Sequence, residues 1–160
     1  MRAAVLTIST SKAAGRGDDL SGPALAEFVT GVGCEVVVTE VIPDERELIA
    51  GRLRYFADEE GCALIATTGG TGFSPDDVTP EATRDVIDRE APGLAEAMRL
   101  ASREHVPDHW MLSRGVAGVR GRTLIVNFPG NPRSIAQAGA AIAGALPHAL
   151  GLLAGRRHGR

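Results

Sequence analysis

A glycine turn followed by a pair of acids, Gly69-Gly70-Thr71-Gly72 and then Asp76-Asp77, is the part of this chain whose residue types could handle a phosphate. The turn follows an apolar run, Cys62-Ala63-Leu64-Ile65-Ala66, which reads as a buried parallel strand. Three glycines in four residues tolerate positive φ, admit a ligand close to the main chain and leave backbone N–H groups bare. The acids would repel a phosphate unless a cation stood between them, so loop and carboxylates together point to a metal–nucleotide site. Two familiar cradles are excluded. A P-loop ends in Gly-Lys-Ser/Thr, and Lys12 is the only lysine; a dinucleotide fingerprint needs glycine where Pro75 stands and a helix opening at once. A lone Gly-Gly-Thr-Gly is equally compatible with a plain strand-to-helix turn.

The elements that must carry this turn alternate. Residues 3–9 read as a first strand, and Pro23 sits at the first turn of a helix whose Leu25, Phe28 and Val29 share a face. Residues 35–42 form a second strand. Asp44 and Glu47 have capping-box spacing and open a helix with Ile49, Leu53 and Phe56 inward. The strand 62–67 and the glycine turn come next. Thr79-Pro80-Glu81 reads as a cap, a first-turn proline and an acid at the positive helix end, with Thr83, Val86 and Ile87 continuing that helix to a break at Ala91-Pro92-Gly93. Leu94, Ala97, Met98 and Ala101 keep helical spacing. Met111-Leu112 and residues 116–119 are expected as short extended pieces. After the strand 123–128, Asn131 caps a helix with Pro132 at its first position, and Pro147 starts or kinks a last one.

This rhythm predicts a single-domain α/β fold, doubly wound, with a mostly parallel sheet and helices on both faces. Pro43-Asp44, the glycine turn and Pro129-Gly130-Asn131-Pro132 each follow a strand directly. They should share the rim at the carboxyl ends of the strands, where such folds collect ligands.

Composition narrows the function. A formal charge of −3 over 160 residues excludes the basic face of a nucleic-acid binder, and 4% aromatic content leaves Ala, Val, Ile and Leu to fill the core. Cys34 and Cys62 have neither metal nor redox spacing, and His105, His109, His148 and His158 form no metal set or triad. The apolar run 3–8 is too short for a signal or membrane segment, so the expected location is cytoplasmic, with no membrane partner. Residues 1–155 are read as the domain and 156–160 as a short basic tail.

Ser9-Thr10-Ser11, Ile42-Pro43-Asp44-Glu45, Thr68-Gly69-Gly70-Thr71-Gly72, Asp77-Val78-Thr79-Pro80-Glu81-Ala82-Thr83, Ala91-Pro92-Gly93-Leu94, Met111-Leu112-Ser113-Arg114 and Asn127-Phe128-Pro129-Gly130-Asn131-Pro132 occur in that order. With this set the chain resembles the molybdopterin adenylyltransferases of molybdenum-cofactor biosynthesis, the family that includes the gephyrin G domain, over residues 5–155. The resemblance implies transfer of AMP from Mg-ATP to the terminal phosphate of molybdopterin, with pyrophosphate released. It implies Asp44 and Asp77 as the catalytic, magnesium-holding carboxylates, and Gly69, Gly70, Thr71, Gly72, Gly130 and Asn131 as the nucleotide-binding residues. Thr71, Ser102 and Ser113 would meet molybdopterin. Homotrimers and a downstream metal-insertion partner are also implied; the alternatives are a non-catalytic molybdopterin- or nucleotide-binding scaffold and a paralogue that keeps the fold but serves a tungsten pathway or another nucleotide. Relatives place an Asp-Arg pair after the first strand where this chain has Ser11-Lys12, a flexible point charge replacing a planar fork.

Several of these residues have a second reading in the sequence. Asp44, Thr79 and Asn131 are all cap types at helix starts, Asp76 reads as solvated, and Trp110 as a packing or interface residue. Ser102 passes for a surface serine, and Ser113-Arg114 fits either an anion site or a loop salt bridge.

Overall fold

Strand pleating sorts the apolar residues into two cores. The computed structural model describes residues 1–157, with six strands: β1 (Arg2–Ile8), β2 (Glu35–Ile42), β3 (Leu64–Thr68), β4 (Arg89–Glu90), β5 (Ala117–Arg120) and β6 (Thr123–Phe128). Along β1, Ala3 and Val5 enter one core while Ala4, Leu6 and Ile8 enter the other. The same alternation splits Leu64 and Ala66 from Ile65, and Leu124, Val126 and Phe128 from Ile125. Both faces are therefore buried, which is why these strands read as continuous apolar runs.

The sheet order is β2-β1-β3-β6-β5-β4, with β2, β1, β3 and β6 parallel and the β5 and β4 edge antiparallel. Helices α2 (Ser21–Gly31), α5 (Pro92–Ala101), α6 (Pro132–Ile142) and α7 (Leu146–Leu153) cover one face, supplying Leu25, Val29, Met98, Ile135 and Leu146. On the other face lie α3 (Arg46–Arg54), a π-helical turn (Tyr55–Glu59) and α4 (Thr79–Arg84), with Ile49, Leu53, Phe56 and Ala82. The doubly wound architecture expected from the sequence is the one found. β1 runs outward to β2 and the chain then returns to the other side of β1 for β3, so strand order reverses between β1 and β3. Ligands collect at that crevice in such folds.

Local departures have local causes. A single turn, α1 (Thr10–Ala13), follows β1 because Ser9 caps it, its side chain accepting from Lys12 N. β3 begins at Leu64, not at residue 62, because Cys62 N still donates to Phe56 O in the preceding turn. The helix expected through Val86 and Ile87 ends at Arg84. Asp88 N then donates to Val119 O, and Ala91 N to Ala117 O, which pulls Arg89–Glu90 into the edge strand β4. Met111-Leu112 is not extended: it belongs to a 3₁₀ turn, Trp110–Leu112, closed by local bonds such as Leu112 N to His109 O. Among the described residues no single helix is long and apolar enough to cross a membrane. The pair α6 and α7 has the composition but bends by 67° at its break. Of the basic tail, Arg156 and Arg157 are exposed; His158, Gly159 and Arg160 lie outside the described residues.

Candidate functional site

The glycine turn sits on the crevice between β1 and β3. Gly69 has φ +96°, and a Cβ there would stand 2.4 Å from Ile8 O at the end of β1. Gly70 has φ +69° and approaches Thr79 Oγ1 so closely that a Cβ would lie 2.2 Å from it. Neither place admits a side chain. Gly130 rests on the same turn, its Cβ position 3.5 Å from Gly69 Cα. Thr68 Oγ1 donates to Pro129 O at 2.6 Å and Ser21 Oγ to Gly130 O at 2.9 Å, so the β6–α6 junction is tied to the β3 turn. The rim residues expected to converge do so.

Both aspartates flank this turn, and each keeps one oxygen without a donor among the described residues. Asp44 Oδ2 accepts from Thr10 N at 2.9 Å and Thr10 Oγ1 at 3.0 Å, while Asp44 N donates back to Thr10 Oγ1 at 2.9 Å. Its Oδ1 lies 3.2 Å from the Cβ position of Gly70 and takes no hydrogen bond among the described residues. Asp77 Oδ2 accepts from Ser74 N at 3.0 Å and lies 2.8 Å from the Cβ position of Gly72; its Oδ1 likewise has no donor among the described residues. Asp76 is exposed, as expected of a bystander.

The main chain between the aspartates is polarised. The carbonyls of Gly69, Gly70, Thr71 and Gly72 all accept hydrogen bonds from inside the protein, two from Thr79 and two from Arg114. The N–H groups of Gly70, Thr71, Gly72 and Phe73 have no acceptor among the described residues. These groups border a cleft of about 470 Å³ whose wall also includes Asp77, Leu112, Ser113 and Gly130, with no lysine or arginine in it. Consecutive bare amides form an anion-binding concavity. An anion bound there would meet the Asp77 carboxylate and no cationic side chain on the cleft wall, with the Asp44 carboxylate beside Gly70. Hard, partly free carboxylate oxygens at such a place suit magnesium, which takes one or two carboxylates and completes its shell with water and phosphate. No set of three metal-ligating side chains occurs among the described residues, so a cation beside this turn would need further ligands from water or a substrate.

The family model described as "Probable molybdopterin binding domain" matches residues 4–148. The chain belongs to this family. It is 40% identical over 157 residues to a molybdopterin adenylyltransferase of Helicobacter pylori (strain J99), covering 94% of this chain and 86% of that protein. It is 39% identical over 150 residues to the molybdenum cofactor synthesis protein cinnamon of Drosophila melanogaster, covering 93% of this chain but only 25% of that longer relative. The crystal structure of the molybdopterin biosynthesis enzyme MoaB from Thermus thermophilus matches with a TM-score of 0.90 at 48% identity, over 97% of each chain.

Within this molybdopterin-binding domain the remaining expected residues fall into place unevenly. Thr71 is buried beside the amides, and Ser113 borders the cleft. Ser102 does not reach that cleft: it ends α5, its hydroxyl turned back to Met98 O, and lines a smaller neighbouring cavity of about 130 Å³ that shares Ser113. Trp110 and His109 also line that cavity. Asn131 caps α6, accepting from Ser134 N at 2.9 Å. Asp44 and Thr79 are not caps. Asp44 is turned to Thr10, 34 positions back, and α3 begins beyond it at Arg46 behind Glu45. Thr79 is fully buried, and its hydroxyl donates to Gly69 O at 3.0 Å, away from its own helix.

Of the two readings of Ser113-Arg114, the structure shows the loop salt bridge, with Arg114 as a clamp. Nε donates to Gly72 O at 2.8 Å, Nη2 to Asp77 O at 2.7 Å and Nη1 to Glu81. Burial pushes the Glu81 carboxyl up, but the hydrogen bond from Arg114, a bond from its own backbone and the charges of Arg114 and Arg84 together leave the group below the ordinary glutamate range. Thr10 and the buried Asn127 were the site's least legible members. Asn127 donates to Thr67 Oγ1 and Thr83 Oγ1, both at 3.0 Å, and accepts from Val116 N at 3.1 Å. The only sequence signal for it is a polar residue inside an apolar strand.

Proposed function

We propose that this domain is a molybdopterin adenylyltransferase, moving AMP from Mg-ATP to the terminal phosphate of molybdopterin. A phosphate oxygen of molybdopterin attacks the α-phosphorus of ATP, the bond to the β-phosphate oxygen breaks, and pyrophosphate leaves as a new P–O–P linkage forms. One observation carries the reading: four consecutive amides without an acceptor among the described residues border a cleft that holds Asp77 and no basic side chain, with the Asp44 carboxylate beside the same turn at Gly70. Such chemistry asks a protein for positioning and charge neutralisation, not for a covalent nucleophile.

In this reading the amides at residues 70–73 hold the nucleotide phosphate, and Gly130-Asn131 closes the nucleotide side. Asp44 and Asp77 hold magnesium, which neutralises charge on the triphosphate and the leaving pyrophosphate. Thr71 and Ser113 face molybdopterin's phosphate, and the cavity at Ser102 takes the remainder of that substrate. Names of relatives support this substrate pair. The H. pylori relative is a molybdopterin adenylyltransferase and the T. thermophilus one a molybdopterin biosynthesis enzyme. By the same kinship we place the domain in the cytoplasm as a homotrimer that hands its product to a metal-insertion protein. Purified protein given molybdopterin and Mg-ATP should form adenylylated molybdopterin and pyrophosphate in equal amounts. Binding without turnover would make it a scaffold instead, and a monomer in light scattering at micromolar concentration would remove the trimer.

A further inference from the structure

We propose that Thr79 and Arg114 are positioning residues that set the polarity of the glycine turn, drawing four successive carbonyls inward so that the next four amides face the cleft as one anion cradle. This rests on the functional reading only in identifying the anion as a substrate phosphate.

A trans peptide is planar, with its C=O and N–H pointing opposite ways, so fixing a carbonyl fixes the N–H of the following residue. Thr79 Oγ1 donates to Gly69 O at 3.0 Å, and Thr79 N to Gly70 O at 3.1 Å. Arg114 N donates to Thr71 O at 2.8 Å and Arg114 Nε to Gly72 O at 2.8 Å. The N–H groups opposed to these carbonyls belong to Gly70, Thr71, Gly72 and Phe73, the four that lack an acceptor among the described residues. Without such ties a glycine-rich turn would let single peptides flip, because glycine populates both signs of φ.

Thr79 is itself aimed from behind. Thr83 Oγ1 donates to Thr79 O at 2.9 Å, and Asn127 Nδ2 donates to Thr83 Oγ1. Asn127 cannot turn over, since its Oδ1 accepts from Val116 N. Because Thr83 Oγ1 accepts from Asn127, its one proton goes to the Thr79 carbonyl and holds the Thr79 backbone, while the Thr79 hydroxyl sends its own proton to Gly69 O. Arg114 reaches further: the same guanidinium that holds Gly72 O also holds the main-chain carbonyl of Asp77, so one side chain ties the cradle to the backbone that carries Asp77.

The test is inorganic pyrophosphate with magnesium, added to ¹⁵N-labelled protein and followed by amide shifts. In the wild type the amide protons of Gly70, Thr71, Gly72 and Phe73 should move downfield together. Thr79→Val, which keeps the shape and removes the donor, should weaken pyrophosphate roughly tenfold and abolish the concerted shift, and Thr79→Ser should restore both. Arg114→Lys keeps the charge but loses the fork and should weaken binding by a similar factor, which covers the case of Thr79→Val failing to fold. Silent amides in the wild type, or wild-type affinity in either variant, overturn the proposal. A protein whose amides respond but which forms no adenylylated molybdopterin leaves the cradle standing and removes the enzyme reading; product formation with silent amides does the reverse.

Discussion

Replacing Asp77 by Asn removes one negative charge and little else. Asp77 Oδ2 accepts from Ser74 N at 3.0 Å, and the amide oxygen of Asn can keep that bond. The other oxygen has no donor among the described residues, and there the variant would present an NH₂ group to any cation. Folding should therefore change by no more than about 1 kcal/mol, the difference between a charge-assisted and a neutral hydrogen bond. The reaction should change far more. A lost electrostatic stabiliser costs about 3–4 kcal/mol of barrier, or roughly two to three orders of magnitude in rate. The cleft wall has no lysine or arginine to offset the loss, and only one carboxylate, Asp44, would remain for the ion. The assay is pyrophosphate release from Mg-ATP and molybdopterin over a range of magnesium concentrations, with Tm measured alongside. The expected result is a kcat lower by about 10²–10³ and a higher magnesium requirement, at a Tm within about 2–4 °C of wild type. A variant that releases pyrophosphate at the wild-type rate with the wild-type magnesium requirement refutes the assignment of Asp77.

Gly70→Ala places a Cβ at φ +69° and 2.2 Å from Thr79 Oγ1, and should break the Thr79–Gly69 bond. Left-handed backbone costs about 1–2 kcal/mol and the lost bond about 1 more, so Tm should fall by several degrees and AMP binding with it; an unchanged Tm would contradict the turn geometry. The Glu81 carboxyl lies below its ordinary value of 4.5, so its bond to Arg114 stabilises the fold above that value and is lost as pH falls through the lowered one. Glu81→Gln should accordingly be less stable than wild type at pH 7, with the Tm gap closing below about pH 4; a gap constant with pH would show that the charge contributes nothing. Burial pushes both the Cys34 and Cys62 thiols up. At pH 8 iodoacetamide should modify them far more slowly in native than in urea-unfolded protein, and equal rates would contradict their burial.

What the sequence made legible here is whatever a side chain does within its own element. Strands buried on both faces announce themselves as apolar runs, and β2 and β6 begin and end where the pattern places them. The glycine turn was legible for a similar reason: positive φ and absence of Cβ are properties of the residue itself. β4 was not, because two residues at a sheet edge have no pattern of their own and take their form from bonds to β5.

The polar residues at the site divide along the same line. Asn131, Asp44 and Thr79 all stand at helix starts and all are cap types, yet only Asn131 caps. Asp44 instead satisfies Thr10 across 34 positions, and Thr79 holds Gly69 across 10. Nothing in the spacing separates these outcomes, since a cap and a long-range tie use the same short polar side chain next to the same bare helix end. What separates them is the neighbour across the crevice. At a switch point in strand order, a turn with unfilled carbonyls lies within hydrogen-bond reach, and a buried carbonyl left unpaired costs more than an exposed first-turn amide that water can serve. Thr79 is fully buried and spends its single proton on that carbonyl, whereas Asn131 is exposed and spends its oxygen on its own helix. A cap-type residue facing a glycine turn at this position in a doubly wound sheet is therefore better read as part of the turn's support, and its substitution as a perturbation of anion binding before helix stability.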